Sequence, residues 1–126
     1  MNQQSLGHKR LVVGAHYGTF DFIVQRVTAV IMAVYTVVLL LGFLFMGEVN
    51  YENWRNLFAF TCLGLPVGQM LATVAFLSVA WHAWVGVRDI WMDYVRGAGL
   101  RLLLQVLTVL WLAGTIAFFA KILWSL

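Results

Sequence analysis

Residues 27–46 read VTAVIMAVYTVVLLLGFLFM, a block without a single charged side chain. At about 1.5 Å of rise per residue, a helix of about 20 residues covers the roughly 30 Å hydrocarbon core of a bilayer. Two comparable blocks follow, at about residues 65–87 and 102–122. The second contains Gln69, Thr73, Ser78 and His82; the third has Gln105 and Thr108 near its start and Lys121 near its end. Backbone in lipid must satisfy its own hydrogen bonds, so each block is expected to be a helix. Alternation of period two over many short segments, the mark of a β-barrel, is missing. The expected fold is an all-α integral membrane protein. It is a single membrane-anchor domain over 1–126, with a polar segment 1–21 and transmembrane helices at about 22–46, 65–90 and 102–124.

Composition agrees. Of 126 residues, 63% are hydrophobic and 10% charged, against about 45–50% and about 25% in soluble domains. So short a chain cannot hide that much apolar surface in a soluble core, and disorder needs the opposite composition. The lone cysteine, Cys62, excludes a disulfide framework within the chain and a Cys-clustered zinc or iron–sulfur site. The net charge of +3 is no nucleic-acid footprint, because the basic residues flank apolar blocks instead of forming a stripe. Lys9, Arg10, Arg26, Arg88, Arg96 and Arg101 fall on one side of the expected membrane, and Arg55 and Lys121 on the other. The positive-inside rule then places the N-terminus and the second connection in the cytoplasm and the C-terminus in the periplasm. The N-terminus resembles neither a cleavable signal nor a transit peptide, so a bacterial inner membrane is the expected location.

The connections are short. Residues 47–56 (GEVNYENWRN) join the first two spans, and residues 50–53 are expected to open a short interfacial helix that includes Trp54 and Phe58. Residues 88–101 (RDIWMDYVRGAGLR) join the second and third, with Gly97 and Gly99 marking the turn. Pro66 suits a first helical turn.

Ionisable groups inside a membrane are costly and are usually functional. His82 is the one histidine inside a span. At about 100° per residue, Ala75, Ser78, His82, Gly86, Asp89 and Asp93 share one stripe. Small residues on either side of an imidazole suit a flat macrocycle, and haem iron takes a histidine nitrogen axially. The same stripe also suits close helix packing, with His82 bonded to a neighbour or relaying protons. A six-coordinate haem with two histidine ligands would need its second one from another chain. Asp93 and Tyr94 follow near the cytoplasmic surface. A tyrosine hydroxyl can donate to a quinone carbonyl and a neighbouring carboxylate can deliver protons; equally, the pair can serve as an interfacial anchor. Asp21 and Arg26 flank the start of the first span, either as a local ion pair or with Arg26 neutralising a buried anion. His8 and His16 read as solvent- or partner-facing.

Four elements together carry a resemblance. These are DFIVQRVTAV (21–30), HAWVGVRDIWMDYV (82–95), the spacing from His82 to Asp93–Tyr94, and LRLLLQ (100–105). From Asp21 onward the chain resembles the D-type hydrophobic membrane anchor subunits of bacterial succinate dehydrogenase, the succinate:quinone oxidoreductase of respiratory complex II. The resemblance implies that His82 is an axial ligand of haem b, shared with a histidine of a companion C-type anchor subunit. It implies that Tyr94 bonds a quinone carbonyl, that Asp93 supports that site, and that Arg26 lies near the haem propionates or the quinone pocket. It further implies a flavoprotein and an iron–sulfur subunit at the cytoplasmic face, with ubiquinone as electron acceptor. The chain itself would do no succinate chemistry. Two features depart from the family pattern: the GAHYG segment (14–18), and Phe20 where some relatives carry histidine. A cofactor-free structural anchor and a small proton-coupled transporter are the alternatives. The odd number of spans and the lack of a mid-membrane acid speak against the transporter.

Overall fold

The computed structural model describes residues 17–126; expectations for residues 1–16, including Lys9, Arg10, His8 and His16, lie outside the described residues. The described chain forms four helices: α1 (Tyr17–Phe45), α2 (Tyr51–Ala59), α3 (Val67–Tyr94) and α4 (Ala98–Leu123). α1, α3 and α4 are each long and apolar enough to cross a membrane. Among the described residues, β-type pairing is confined to one bridge between Cys62 and Leu65. It closes a tight turn with two reciprocal 3.0 Å hydrogen bonds. Leu63 and Gly64 turn that corner at φ of 52° and 79°, the left-handed region that glycine enters freely and leucine rarely does.

α1 and α3 run antiparallel along a common seam, and α4 packs on another side of α3. The seam is lined by small residues of α3: Ala72, Ala75 and Ser78 are buried. Against α4, Phe76 stacks on Phe119 with centroids 3.9 Å apart and planes 4° from parallel. The Trp91 indole donates to Thr108 at 3.1 Å. Gln69 donates to the Leu123 carbonyl at 3.1 Å, capping one of the acceptors that a helix C-terminus leaves open.

The short interfacial helix appears as α2. Asn50 caps it, its side-chain oxygen accepting from Asn53 N–H at 2.8 Å, as Asn does at helix starts. Trp54 and Phe58 meet edge to face at 5.2 Å. α2 lies at the end of the bundle where α1 stops and α3 begins, and it reaches α3 only because residue 68 has no side chain. A Cβ on Gly68 would stand 2.5 Å from the Phe58 carbonyl oxygen and 2.8 Å from Phe60 N.

Three boundaries differ from expectation. α1 is already helical at Tyr17. α3 continues through Tyr94, past the expected end near residue 90. The connection to α4 shrinks to residues 95–97, with Gly99 inside the helix. Hydropathy marks where lipid ends, but Asp, Trp and Met do not break a helix. The polar turns of α3 and α4 therefore stay helical beyond the apolar block. Pro66 stands one residue ahead of the first helical turn, as the N-cap.

Replacing Gly68 by alanine should lower the stability of the purified protein by about 1–3 kcal/mol, the usual cost of overpacking, because backbone atoms must move. Gly99→Ala, where a Cβ meets nothing within 4 Å, should be neutral or slightly stabilising. Thermal unfolding of the two variants in one detergent checks the contrast.

Candidate functional site

Three polar residues of α1, spaced i, i+4 and i+7, share one face of that helix: Asp21, Gln25 and Thr28. All three bond to α3. Asp21 pairs with Arg88 at 2.5 Å, where both side chains are partly buried. Arg88 also reaches Asp89 at 3.2 Å, while its buried Nε has no hydrogen-bond partner among the described residues. One turn deeper, the Gln25 amide donates to the His82 carbonyl at 3.3 Å. Deeper still, Thr28 Oγ1 lies 3.0 Å from His82 Nδ1. Thr28 is itself 8% exposed and bonds back to the Val24 carbonyl at 2.7 Å. His82 Nε2 makes no hydrogen bond among the described residues, and it is not among the buried atoms left without a partner.

The stripe on α3 therefore has a packing role of its own. α1 lies along it, and Ser78 is buried there with its hydroxyl bonded to the Val74 carbonyl at 2.9 Å. Of the two readings open for the stripe, a flat ligand or close helix packing, the burial of Ser78 fits packing at that position. Gly86 stays open: a Cβ there would meet only Gln25 Nε2, at 4.0 Å. Beside the seam runs a groove of about 540 Å³, lined by Val24, Val27, Thr28, Ser78 and Trp81 among others. Among the described residues no three His, Cys, Asp or Glu side chains group as a metal site.

The other candidates lie apart from His82. Asp93 and Tyr94 sit at the end of α3, both exposed, Tyr94 by 81%. Tyr94 is twelve residues from His82, about 18 Å along the helix axis and about 120° round it. Asp93 stays on the His82 face, about 20° away. Arg26 points away from the seam: it is exposed, with its guanidinium 4.3 Å over the Phe22 ring. An Asp21–Arg26 pair does not form, since five residues place those side chains about 140° apart on the helix; Asp21 takes Arg88 instead.

Gln25 and Thr28 lie outside the candidates that the sequence singles out. The available signal was the i, i+4, i+7 recurrence of polar residues at the start of an otherwise apolar helix.

Comparison with known proteins agrees with this architecture. Residues 1–121 match the family model described as succinate dehydrogenase/fumarate reductase transmembrane subunit. The chain is 31% identical over 107 residues to the succinate dehydrogenase hydrophobic membrane anchor subunit of Coxiella burnetii (strain RSA 493 / Nine Mile phase I), covering 85% of this chain and 89% of that protein. With three apolar membrane-crossing helices and a family match across nearly its whole length, the chain belongs to the succinate dehydrogenase/fumarate reductase transmembrane subunits and is a multi-pass membrane anchor of that enzyme type.

Proposed function

We infer that the chain supplies one axial ligand to a haem b and part of a quinone-reduction site, in a complex that carries electrons from succinate to ubiquinone. The observation that carries this is His82, set in an apolar helix with one ring nitrogen engaged and the other without a hydrogen bond among the described residues. An imidazole presents a metal with one nitrogen while the other is held by a protein group. The residues present fit a haem of this kind: a single histidine in an apolar helix, with an open glycine one turn away. A companion C-type anchor subunit supplies the second histidine. Bound haem supplies a one-electron redox centre inside the hydrocarbon.

The remaining roles belong to side chains at the basic end of the bundle. Tyr94 keeps its ring at the interface and donates its hydroxyl to a quinone carbonyl oxygen. Asp93 beside it passes protons towards that oxygen, directly or through water. Arg26, exposed on the outer face of α1, pairs with an anion brought by the neighbouring subunit or cofactor, a haem propionate or a group at the quinone pocket. Arg88 is held by Asp21 and Asp89 and ties α1 to α3 beneath that site. The inner-membrane orientation with this end cytoplasmic rests on the positive-inside rule. It sets the quinone site beside the iron–sulfur and flavoprotein subunits. A cofactor-free anchor is the second reading, and it draws on the burial of Ala72, Ala75 and Ser78 in the seam.

Two measurements on the complex purified with its partner subunits separate these readings. The reduced-minus-oxidised spectrum should show a b-type α band that shifts or vanishes in His82→Ala; an intact complex without the band makes the chain a structural anchor. Tyr94→Phe removes one neutral hydrogen bond worth about 0.5–1.5 kcal/mol. It should slow quinone reduction roughly three- to tenfold at unchanged haem content. Unchanged turnover would leave Tyr94 an interfacial anchor.

A further inference from the structure

We propose that Thr28 is the positioning residue that sets the tautomer of His82, accepting the Nδ1 hydrogen so that the Nε2 lone pair is left for a metal. This rests on the haem reading above and adds to it a residue on a different helix.

The inference follows from counting hydrogens. A threonine hydroxyl has one hydrogen and two lone pairs. Thr28 Oγ1 lies 2.7 Å from the Val24 carbonyl, 3.2 Å from the Gln25 carbonyl and 3.0 Å from His82 Nδ1. The two carbonyls accept only, and the nearest of the three atoms is the Val24 oxygen. With the hydroxyl hydrogen on that oxygen, the contact to His82 is a hydrogen bond only if Nδ1 carries the hydrogen. A neutral imidazole has one N–H, so Nε2 then holds the lone pair. The opposite assignment, with Thr28 donating to Nδ1, gives up the shorter bond and gains nothing in return.

The same chain contains a case in which the donor is not in question. Trp91 Nε1 is only ever a donor, and it lies 3.1 Å from Thr108 Oγ1. Thr108 in turn donates to the Leu104 carbonyl at 2.7 Å. A threonine bonded back at 2.7 Å to the carbonyl four residues earlier, receiving a ring N–H across a helix pair, is thus a unit this fold uses twice. At His82 the backbone is held as well, because Gln25 donates to the carbonyl of that residue. The α1 face then fixes both ring and main chain. Partners of this kind orient a ligating histidine and raise its basicity.

The test compares wild type, Thr28→Val, Thr28→Ala, Thr28→Ser and His82→Ala in the assembled complex, with co-purification of the subunits as the check on assembly. Haem retention, the redox midpoint and the low-spin paramagnetic resonance signal are read in each. Valine keeps the branched shape and alanine leaves space, so an effect common to both belongs to the hydroxyl. Both should hold haem roughly tenfold less tightly. Both should have a raised midpoint, because a less basic imidazole stabilises oxidised iron less. Serine should restore wild-type values. Wild-type retention, midpoint and resonance in the intact valine and alanine variants would overturn the role of Thr28, with His82→Ala still losing the spectrum. A wild type without haem, or a His82→Ala variant with an unaltered spectrum, would overturn the haem reading and this proposal with it.

Discussion

The seam between α1 and α3 is the constraint on which the rest depends. Lipid tails are as apolar as leucine, so helices in a bilayer gain little by burying apolar surface against each other. They associate through close packing and polar links. Here Ala72, Ala75 and Ser78 let α1 approach α3, and three polar contacts set the relative height of the two helices: Asp21 to Arg88, Gln25 to the His82 carbonyl and Thr28 to the His82 ring. A slip of one residue along either helix would rotate its partners by about 100° and break all three. α2 and α4 attach to a pair whose register is already determined.

That seam also divides the candidate site. His82 is held in the hydrocarbon by a neighbouring helix, while Asp93 and Tyr94 stand exposed at the end of the same helix, about 18 Å along its axis. The ligating role proposed for His82 needs a fixed ring in an apolar setting, and the Thr28 contact and the apolar helix fit that need. The proposed quinone site, which would exchange a diffusing substrate and protons, needs access to water, and the exposed helix end meets that need. The long, unbroken α3 carries His82, Asp93 and Tyr94 on one element, and its extension through Tyr94 takes the last two clear of the apolar block.

Much of the fold was legible because each span announces itself in one dimension. A run of apolar residues is a property of contiguous sequence, and lipid leaves a helix as the only way to pair its backbone groups. The start of α2 was legible for the same reason, since Asn50 caps a residue three positions away. The ends of α3 and α4 were not, because solvation and helix propensity change at different residues. Proximity along the chain does not select the ion-pair partner of Asp21, for which a local pair with Arg26 is one of two readings. Its true partner is 67 positions distant, and nothing local distinguishes Arg88 from Arg26.

By itself the sequence determined the class of the protein, the number and approximate limits of its membrane helices, the charge asymmetry between its two ends, and His82 as the residue most in need of explanation. These follow from composition, hydropathy and the cost of an ionisable group in lipid, which do not depend on what packs where. The tertiary structure alone decided that the small-residue stripe faces α1, that Ser78 is covered while Gly86 is open, that Arg26 turns outward, and that Thr28 meets the imidazole. Which face of one helix meets which face of another depends on register and rotation. Both are settled by contacts between residues far apart in the chain, and no window of neighbouring letters contains them.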